Sequence, residues 1–138
     1  MTTYPLTARD RELIEKAWEV LESSFDVGVY RHTVGAALLC KDGSVYTGIN
    51  CDGIHGSCAE FIAVGAAVAA GVKEQMFDTI VAVRRKAPNR LVSPCGNCRQ
   101  MLLEYNPDIK VILNSDEGLP VKVTVRDLLP FAYVFIPN

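Results

Sequence analysis

The feature that most constrains this 138-residue chain is a set of three cysteines at the predicted starts of two helices. Cys58 and Glu60 begin a segment rich in alanine and glycine, and Cys95 and Cys98 begin a second helical segment after Pro94. Positions i and i+3 share one face of a helix, so Cys95 and Cys98 can bind one ion without distorting the backbone. If Cys58 completes the set, the fold has to bring two helix N-termini together.

The rest of the pattern predicts an α/β fold. Its elements follow in the order helix, strand, strand, helix, strand, helix, strand, strand and a short last helix. Their predicted bounds are 8–23, 33–40, 44–51, 58–70, 78–85, 95–105, 110–114 and 121–125, with the short helix starting at 124 and ending before Pro130. Asp42-Gly43 is a strong hairpin signal between the first two strands. This order indicates a three-layer α/β/α architecture with a five-stranded mixed sheet, and we expect a single domain over residues 1–138.

Residues that favour helix N-termini support these bounds. Thr7 and Asp10 form an acidic variant of the capping box at the start of the first helix. Thr124 and Asp127 repeat that pattern before the last helix, and Ser57 is the predicted N-cap of the second helix.

Composition and charge argue against several classes of function. The net charge is −2 and no basic surface is indicated, so we expect no nucleic-acid partner. No segment approaches the roughly 20 apolar residues of a membrane helix, and the first residues lack the pattern of a secretory signal. Five cysteines, an odd number, argue against a disulfide framework and for a reducing compartment, which predicts a cytoplasmic protein.

The three clustered thiols have the chemistry of a zinc site. Helix N-termini carry partial positive charge and free N–H groups, which favour the thiolate form that binds metal. Structural zinc sites close all four tetrahedral positions with protein ligands, whereas catalytic sites keep one position for water. Cys51 and His55 are the nearby candidates for a fourth ligand, and Cys40 is predicted to pack inside a strand. We therefore interpret the set as an open zinc site, with Glu60 beside it to transfer protons.

The chain contains the motif Cys58-Ala59-Glu60 and a second motif that runs from Pro94 through Cys95, Cys98 and Arg99 to Gln100. Together, these two motifs resemble the cytidine deaminase superfamily. The resemblance extends over roughly the whole chain, because residues 34–50 resemble the first hairpin of that family and residues 125–130 its last short helix. Within the superfamily, the short loop before the first motif and the ending LLPFAYVF are most similar to the blasticidin S deaminase branch.

The resemblance implies a zinc-dependent hydrolytic deaminase. Cys58, Cys95 and Cys98 would bind Zn²⁺, and Glu60 would carry protons to the ring nitrogen beside the reacting carbon. A cytosine nucleoside or nucleoside analogue would be converted to its uracil form with release of ammonia. Family members of this length are commonly tetramers whose sites borrow residues from neighbouring subunits, so the resemblance implies a homotetramer.

The resemblance also implies a set of substrate contacts. The backbone of Ala59 would contact the ring carbonyl, and the backbone of Ser93 would contact the exocyclic amine. Asn50 matches the family residue that binds the ribose side of the substrate. Tyr133 and Phe135 match aromatic tail positions that border the substrate in the blasticidin branch.

Three positions depart from the cytidine branch of the family. Phe61 replaces an arginine that hydrogen-bonds the thiolates, and Asp52 replaces a longer glutamate near the ribose. His32 stands where an aromatic residue commonly packs near the base. These departures favour blasticidin S or a related cytosine nucleoside as substrate, ahead of cytidine and deoxycytidine.

Other interpretations of the same residues stay open at this point. The thiols could form a structural zinc site in a binding module without turnover, or the chain could deaminate another aminated heterocycle. Cys95 and Cys98 alone could form a redox pair, but that interpretation gives Cys58 and Glu60 no role. The basic run Arg84–Lys86 is predicted to be a solvated loop.

Overall fold

The computed structural model describes residues 1–24 and 31–137. Each predicted helix and strand is present in these residues, with bounds that shift by at most two positions. The helices and strands are α1 (Ala8–Ser24), β1 (Gly35–Cys40), β2 (Val45–Ile49), α2 (Ala59–Ala69), β3 (Phe77–Val83), α3 (Gly96–Tyr105), β4 (Lys110–Asn114), β5 (Pro120–Thr124) and α4 (Val125–Leu128). Single 3-10 turns at Glu74–Met76 and Pro88–Arg90 flank β3.

The strands form one five-stranded mixed sheet in the order β2-β1-β3-β4-β5. β3 and β4 are parallel and are connected through α3, whereas the other neighbouring strands are antiparallel. In the register of the sheet, Gly35 of β1 lies opposite both Ile49 of β2 and Val83 of β3. The end of β2, the start of β1 and the end of β3 therefore meet at the same edge of the sheet.

Side-chain alternation along β1 divides the core between the two faces of the sheet. Ala37 and Leu39 pack with the apolar side of α1, and Ala36 and Leu38 pack with residues of α2 and α3. All six residues of β1 are buried, as expected for a strand that is covered on both faces. These contacts confirm the predicted α/β/α layers.

The longest helix, α1, has 17 residues and is amphipathic, with Leu13, Ala17 and Leu21 on its buried side. In the described ranges, 1–24 and 31–137, no helix combines the length and the apolar character that crossing a membrane requires.

One of the predicted N-caps is wrong, and backbone pairing explains it. Ser57 exchanges two backbone hydrogen bonds with Cys51, at 2.9 and 3.0 Å, so it is held in extended pairing and Cys58 becomes the N-cap of α2. Thr124 is the N-cap of α4 as predicted, although its side chain makes no capping bond. Instead, the N–H of Val125 donates to the carbonyl of Ile109 at 2.8 Å, which holds the start of α4 against the rest of the fold.

The predicted capping box of α1 is confirmed, and it is joined to the sheet by a buried ion pair. The N–H of Thr7 donates to Asp10 Oδ2 at 2.9 Å, and the N–H of Asp10 donates to Thr7 Oγ1 at 3.2 Å. Lys122 Nζ on β5 also donates to Asp10 Oδ2, at 2.7 Å. Burial alone would raise the pKa of Asp10, but the bonds from Lys122 and Thr7 outweigh it and the pKa is lowered.

Replacing Asp10 with asparagine leaves the Lys122 ammonium buried without its counter-charge, so we expect the free energy of unfolding to fall by about 3 kcal/mol. Because the pKa of Asp10 is lowered on folding, the charged pair stabilises the fold above the ordinary pKa of 3.8. That stabilisation is lost as the pH falls through the lower pKa of the folded state. Urea unfolding of the native protein and the variant at about pH 7 and about pH 3 measures both effects.

The matched control is Glu19→Gln, which removes an exposed ion pair with Lys16 on the same helix. Its loss should stay below about 0.5 kcal/mol. Equal destabilisation by Asp10→Asn and Glu19→Gln would show that the buried pair does not hold α1 on the sheet.

Candidate metal centre and cleft

Two helix N-termini meet at the sheet edge defined above. Cys58 is the N-cap of α2, and Cys95 is the N-cap of α3. Cys98 lies in the first turn of α3 and is buried. The Sγ atoms of these three cysteines lie within 4.8 Å of one another, and those of Cys58 and Cys95 are 3.6 Å apart. The structure thus brings together the three thiols that the sequence motifs singled out.

A glycine in β2 determines how closely α2 approaches the sheet. A Cβ atom added at Gly48 would lie 2.6 Å from the carbonyl oxygen of Ala59 and would overlap the backbone nitrogen of Ala63. Any other residue at Gly48 would push the first turn of α2 away from β2. The absence of a side chain there is what places Cys58 and Glu60 against the sheet edge.

The start of α3 is positioned by pairing with β3 and by Arg99. The N–H of Val92 donates to the carbonyl of Ala82 at 2.9 Å, which directs the following residues across the sheet edge. Arg99 Nε donates to the carbonyl of Pro94 at 2.8 Å, and another nitrogen of its guanidinium donates to the carbonyl of Leu128 at 3.1 Å. Arg99 therefore fixes the segment before Cys95. In the sequence, the one signal that Arg99 acts at this site was its position directly after Cys98.

The three sulfurs fit a zinc ion. Zn–S bonds of about 2.3 Å at tetrahedral angles separate two sulfurs by about 3.8 Å, close to the Cys58–Cys95 distance. Among the described residues, no further Cys, His, Asp or Glu atom joins the cluster. Cys51 and His55, the candidates for a fourth ligand, are exposed outside it, and Cys40 is buried in β1 as predicted. Three ligands of this kind are typical of a zinc site that keeps one position for a non-protein ligand.

The protonation of the thiols differs across the cluster. Burial raises the pKa of Cys98 and of Cys58. Burial would also raise the pKa of Cys95, but hydrogen bonds from the backbone N–H of Cys98 and from the other two thiols lower it. A divalent cation competes with protons for all three sulfurs, so metal affinity should fall as the pH is lowered.

Glu60 is a buried carboxyl group beside these thiols. It is the second residue of α2, and only 6% of its surface is exposed. Burial raises its pKa, although bonds to its own backbone and to the side chain of Cys98 act in the opposite direction. Glu60 and the cysteines Cys58 and Cys95 line the same cleft, so a molecule in the cleft would meet both the carboxyl group and the thiol cluster.

The cleft has a volume of about 380 Å³ and contains most of the predicted substrate contacts. Asn50, Asp52, Ala59 and Ser93 all line it. Its lining comprises Val34, Asn50, Cys51, Asp52, Gly53, Gly56, Ser57, Cys58, Ala59, Glu60, Val92, Ser93 and Cys95. A pocket of this size suits a small molecule such as a nucleoside.

Two valines in the cleft wall, Val34 and Val92, were not identified from the sequence. They flank the sheet edge where β1 starts and β3 ends, and they offer apolar surface to a flat ring. Nothing in the sequence distinguishes a valine that faces a cleft from one that packs in the core.

Three of the predicted substrate residues lie away from the cleft lining. Nδ1 of His32 bonds the carbonyl oxygen of Asn50 at 2.7 Å, and His32 is not among the residues that line the cleft. Tyr133 and Phe135, which are 72% and 61% exposed, belong to a tail that contacts α3, where Gln100 Nε2 donates to the carbonyl of Tyr133 at 2.9 Å. Within a single chain, these two aromatic residues do not reach the cleft.

The fold and the thiol cluster define an α/β zinc-binding protein with an open cleft beside a buried carboxyl group. A family model described as the cytidine and deoxycytidylate deaminase zinc-binding region matches residues 7–114. The chain belongs to this family.

Individual relatives agree with this assignment. The chain is 37% identical to blasticidin-S deaminase of Bacillus cereus, with 96% of this chain and 98% of that protein covered. It is 40% identical to a cytidine deaminase of Halalkalibacterium halodurans, with 90% and 94% covered. The crystal structure of cytidine deaminase from Burkholderia pseudomallei superposes with a TM-score of 0.74 at 33% identity and covers 93% of this chain and 100% of that one.

Thiol reactivity and zinc content can test the metal centre together. With zinc bound, we expect exposed Cys51 to react first with a thiol reagent, while Cys58, Cys95 and Cys98 react only after a chelator removes the metal. The chelator should release about one zinc ion per chain. Cys51→Ser is the control and should remove the fast reaction without changing the zinc content. A reversible Cys95–Cys98 disulfide in protein without zinc would instead support the redox interpretation.

Proposed function

We propose that the protein is a zinc-dependent hydrolytic deaminase that converts a cytosine nucleoside or nucleoside analogue to its uracil form and releases ammonia. The observation that carries this proposal is the buried Glu60 carboxyl group beside three clustered thiols in the wall of a nucleoside-sized cleft. A structural zinc site has no need of a buried proton carrier or of an adjoining cleft. The names of the relatives support the same reaction.

In this proposal Cys58, Cys95 and Cys98 hold the zinc ion. When bound, zinc supplies a Lewis acid that makes a water molecule nucleophilic near neutral pH. Glu60 takes a proton from the attacking water and gives it to the ring nitrogen beside the reacting carbon. Glu60 then carries the second proton of the water to the amine as the carbon–nitrogen bond breaks, so that ammonia leaves and an oxo group remains. The raised pKa of Glu60 is consistent with a group that both accepts and donates protons.

The rest of the cleft orients the base. Ala59 is the first residue of α2, where a backbone N–H has no partner within the helix and can bind the ring carbonyl. Ser93 lies on the side of the cleft contributed by the segment after β3, where its backbone carbonyl can accept from the exocyclic amine. Val34 and Val92 enclose the ring between apolar surfaces.

Glu60→Gln keeps the size of the side chain but removes its ability to carry protons. We expect this variant to retain zinc and its thermal unfolding temperature, and to lose deamination by roughly a thousandfold. Ammonia release, zinc content and thermal unfolding are measured on the same sample. The matched control is Glu15→Gln on the exposed side of α1, which should keep full activity. Unchanged turnover in Glu60→Gln would remove Glu60 from the mechanism.

We further propose that the preferred substrate is blasticidin S or a related cytosine nucleoside rather than plain cytidine. The blasticidin-S deaminase of Bacillus cereus aligns with nearly the whole chain. Phe61 packs against the apolar core under α2 and so brings no cation to the thiols, and His32 bonds the backbone of Asn50 instead of presenting an aromatic face to the base.

A substrate panel tests this preference. We expect kcat/KM for blasticidin S to exceed that for cytidine by at least about tenfold, since a change in a few pocket contacts alters discrimination by roughly that factor. Deoxycytidine should resemble cytidine, and aminated bases and pterins should release no ammonia. Equal kcat/KM for cytidine and every analogue would show that the replaced residues do not determine specificity, and turnover of a pterin alone would favour the other heterocycle class.

We also infer a single-domain chain that works as a homotetramer in the reducing environment of the cytoplasm. The tail offers apolar side chains that are at least 61% exposed at Phe131, Tyr133, Val134, Phe135 and Ile136, a surface that a neighbouring copy would cover. In such an assembly Tyr133 and Phe135 would be available to the cleft of a neighbour. The odd number of cysteines supports a reducing compartment.

A further inference from the structure

The loop between β3 and α3 brings two residues into the cleft wall. Residues 84–90 form a mostly exposed loop after β3. The chain then returns to the sheet, where Leu91 pairs with Val83 in an antiparallel bridge. Val92 and Ser93 follow directly and line the cleft.

The register of this return pairing decides what faces the cleft. Leu91 is buried in the cluster that contains residues of α1, whereas Val92 packs against the cluster that contains residues of α2 and α3. Successive residues of an extended segment face opposite sides of a sheet, so a slip of one residue would exchange the sides of Leu91 and Val92. The same slip would move the backbone carbonyl of Ser93 away from its place in the cleft.

Two asparagine side chains hold the loop against the hairpin of β4 and β5. Nδ2 of Asn114, at the end of β4, donates to the carbonyl of Pro88 at 2.6 Å and to the carbonyl of Leu91 at 3.2 Å. Nδ2 of Asn89 donates to the carbonyl of Gly118, in the turn between β4 and β5, at 2.6 Å. An exposed loop gains little from apolar packing, so its shape depends on bonds of this kind.

The turn at the end of the loop uses an unfavourable backbone conformation. The angle φ is +52° at Asn89 and +63° at Arg90. Both values lie in the left-handed region, which asparagine tolerates better than most residues and which is unfavourable for arginine. Strain of this kind persists only where surrounding contacts fix the backbone, and it is concentrated near functional sites.

Arg90 attaches the same turn to α1 and to the start of the loop. Its Cζ atom lies 4.4 Å from the centroid of the Trp18 ring, which is a cation–π distance. Its carbonyl accepts from the N–H of Arg84 at 3.0 Å. The left-handed turn is therefore held from α1 on one side and from the hairpin of β4 and β5 on the other.

We propose that Asn114 is a positioning residue for deamination. Its clamp on the strained turn at Asn89 and Arg90 sets the register in which Val92 and Ser93 enter the cleft. This inference rests on the proposed function, in which the carbonyl of Ser93 accepts from the exocyclic amine of the base. Asn114 is not among the residues that line the cleft, so it acts on the substrate only through the loop.

The clamp can be removed in two ways. Asn114→Ala deletes the donor, and Asn114→Asp keeps the shape of the side chain but places an acceptor against two carbonyls. Dissociation constants are measured by calorimetry in the Glu60→Gln background, where turnover does not interfere. The ligands are cytidine and the riboside of pyrimidin-2-one, which has no exocyclic amine. For cytidine, kcat and KM are measured with Glu60 present.

We expect Asn114→Ala to weaken cytidine binding by about tenfold and binding of the other riboside by less than about threefold, because a displaced carbonyl loses a bond only where an amine donates. Asn114→Asp should have a larger effect, since its carboxylate repels the carbonyls of the loop. The value of kcat should fall in both variants, because the base is less well aligned. Zinc content should not change, because Arg99 holds the carbonyl of Pro94 independently of the loop.

The role of the turn is tested at Asn89. Asn89→Gly loses the bond to Gly118 but adopts left-handed backbone without strain, so its kcat/KM for cytidine should stay within about threefold of the native value. Asn89→Val loses the same bond and places a β-branched residue at positive φ, so it should lose as much activity as Asn114→Ala. Equal losses in the glycine and valine variants would overturn the role of the left-handed turn.

Asn106→Ala is the matched control. Nδ2 of Asn106 donates to the carbonyls of Glu74 and Phe77 at the C-terminal end of α3, so this variant removes a similar carboxamide clamp outside the cleft lining. It should leave nucleoside binding and kcat unchanged. Thermal unfolding of all variants is measured alongside.

Two results would overturn the role of Asn114. One is unchanged cytidine binding in Asn114→Ala, and the other is an equal loss of affinity for both ribosides, which would indicate general loosening of the fold. If the native protein releases ammonia from no cytosine nucleoside, the proposed function itself fails. Turnover by the native protein together with either of the two results overturns only the inference about Asn114.

Discussion

The organisation of this protein depends on the close approach of two helix N-termini at one edge of the sheet. The approach is possible because Gly48 lets α2 lie directly on β2 and because the segment after β3 pairs back onto that strand before α3 begins. Each helix contributes its N-cap cysteine, so the sulfurs lie where the partial positive charges of the helix ends are strongest. Zinc affinity, the position of Glu60 and the depth of the cleft all follow from this arrangement.

The electrostatics of the centre come from the backbone more than from side chains. Three thiolates and one Zn²⁺ leave a formal charge of −1, and the helix N-termini offset part of it. Phe61 occupies the position where a cation would stand in the cytidine branch, and it is packed against the core. The guanidinium of Arg99 is committed to the carbonyls of Pro94 and Leu128. Arg99 therefore acts on the geometry of the site, while dipoles of the backbone offset its charge.

The cleft combines rigid and open regions in a way that suits a small polar ligand. Near the thiols, the ring would meet buried groups carried by α2 and by the segment before α3. At the rim, the side-chain amide of Asn50 accepts from the backbone of Thr33 and Val34, which are distant from it in sequence. The aromatic tail lies outside the cleft of its own chain, on the surface of α3. Within one chain, the thiol cluster, Glu60 and the cleft are therefore separate from the exposed tail.

The sequence by itself determined the element order, the layer architecture and the capping box of α1. It also identified the three thiols and their neighbouring carboxylate. Each of these features depends on local periodicity or on fixed spacing within one helix. Ser57 shows where a helix-start signal loses to backbone pairing, since its two bonds to Cys51 move the N-cap of α2 to Cys58. Only the tertiary structure decided that Cys58 meets Cys95 and that Val34 and Val92 face a cleft. Those facts arise from contacts between segments far apart in the chain, which no local pattern records.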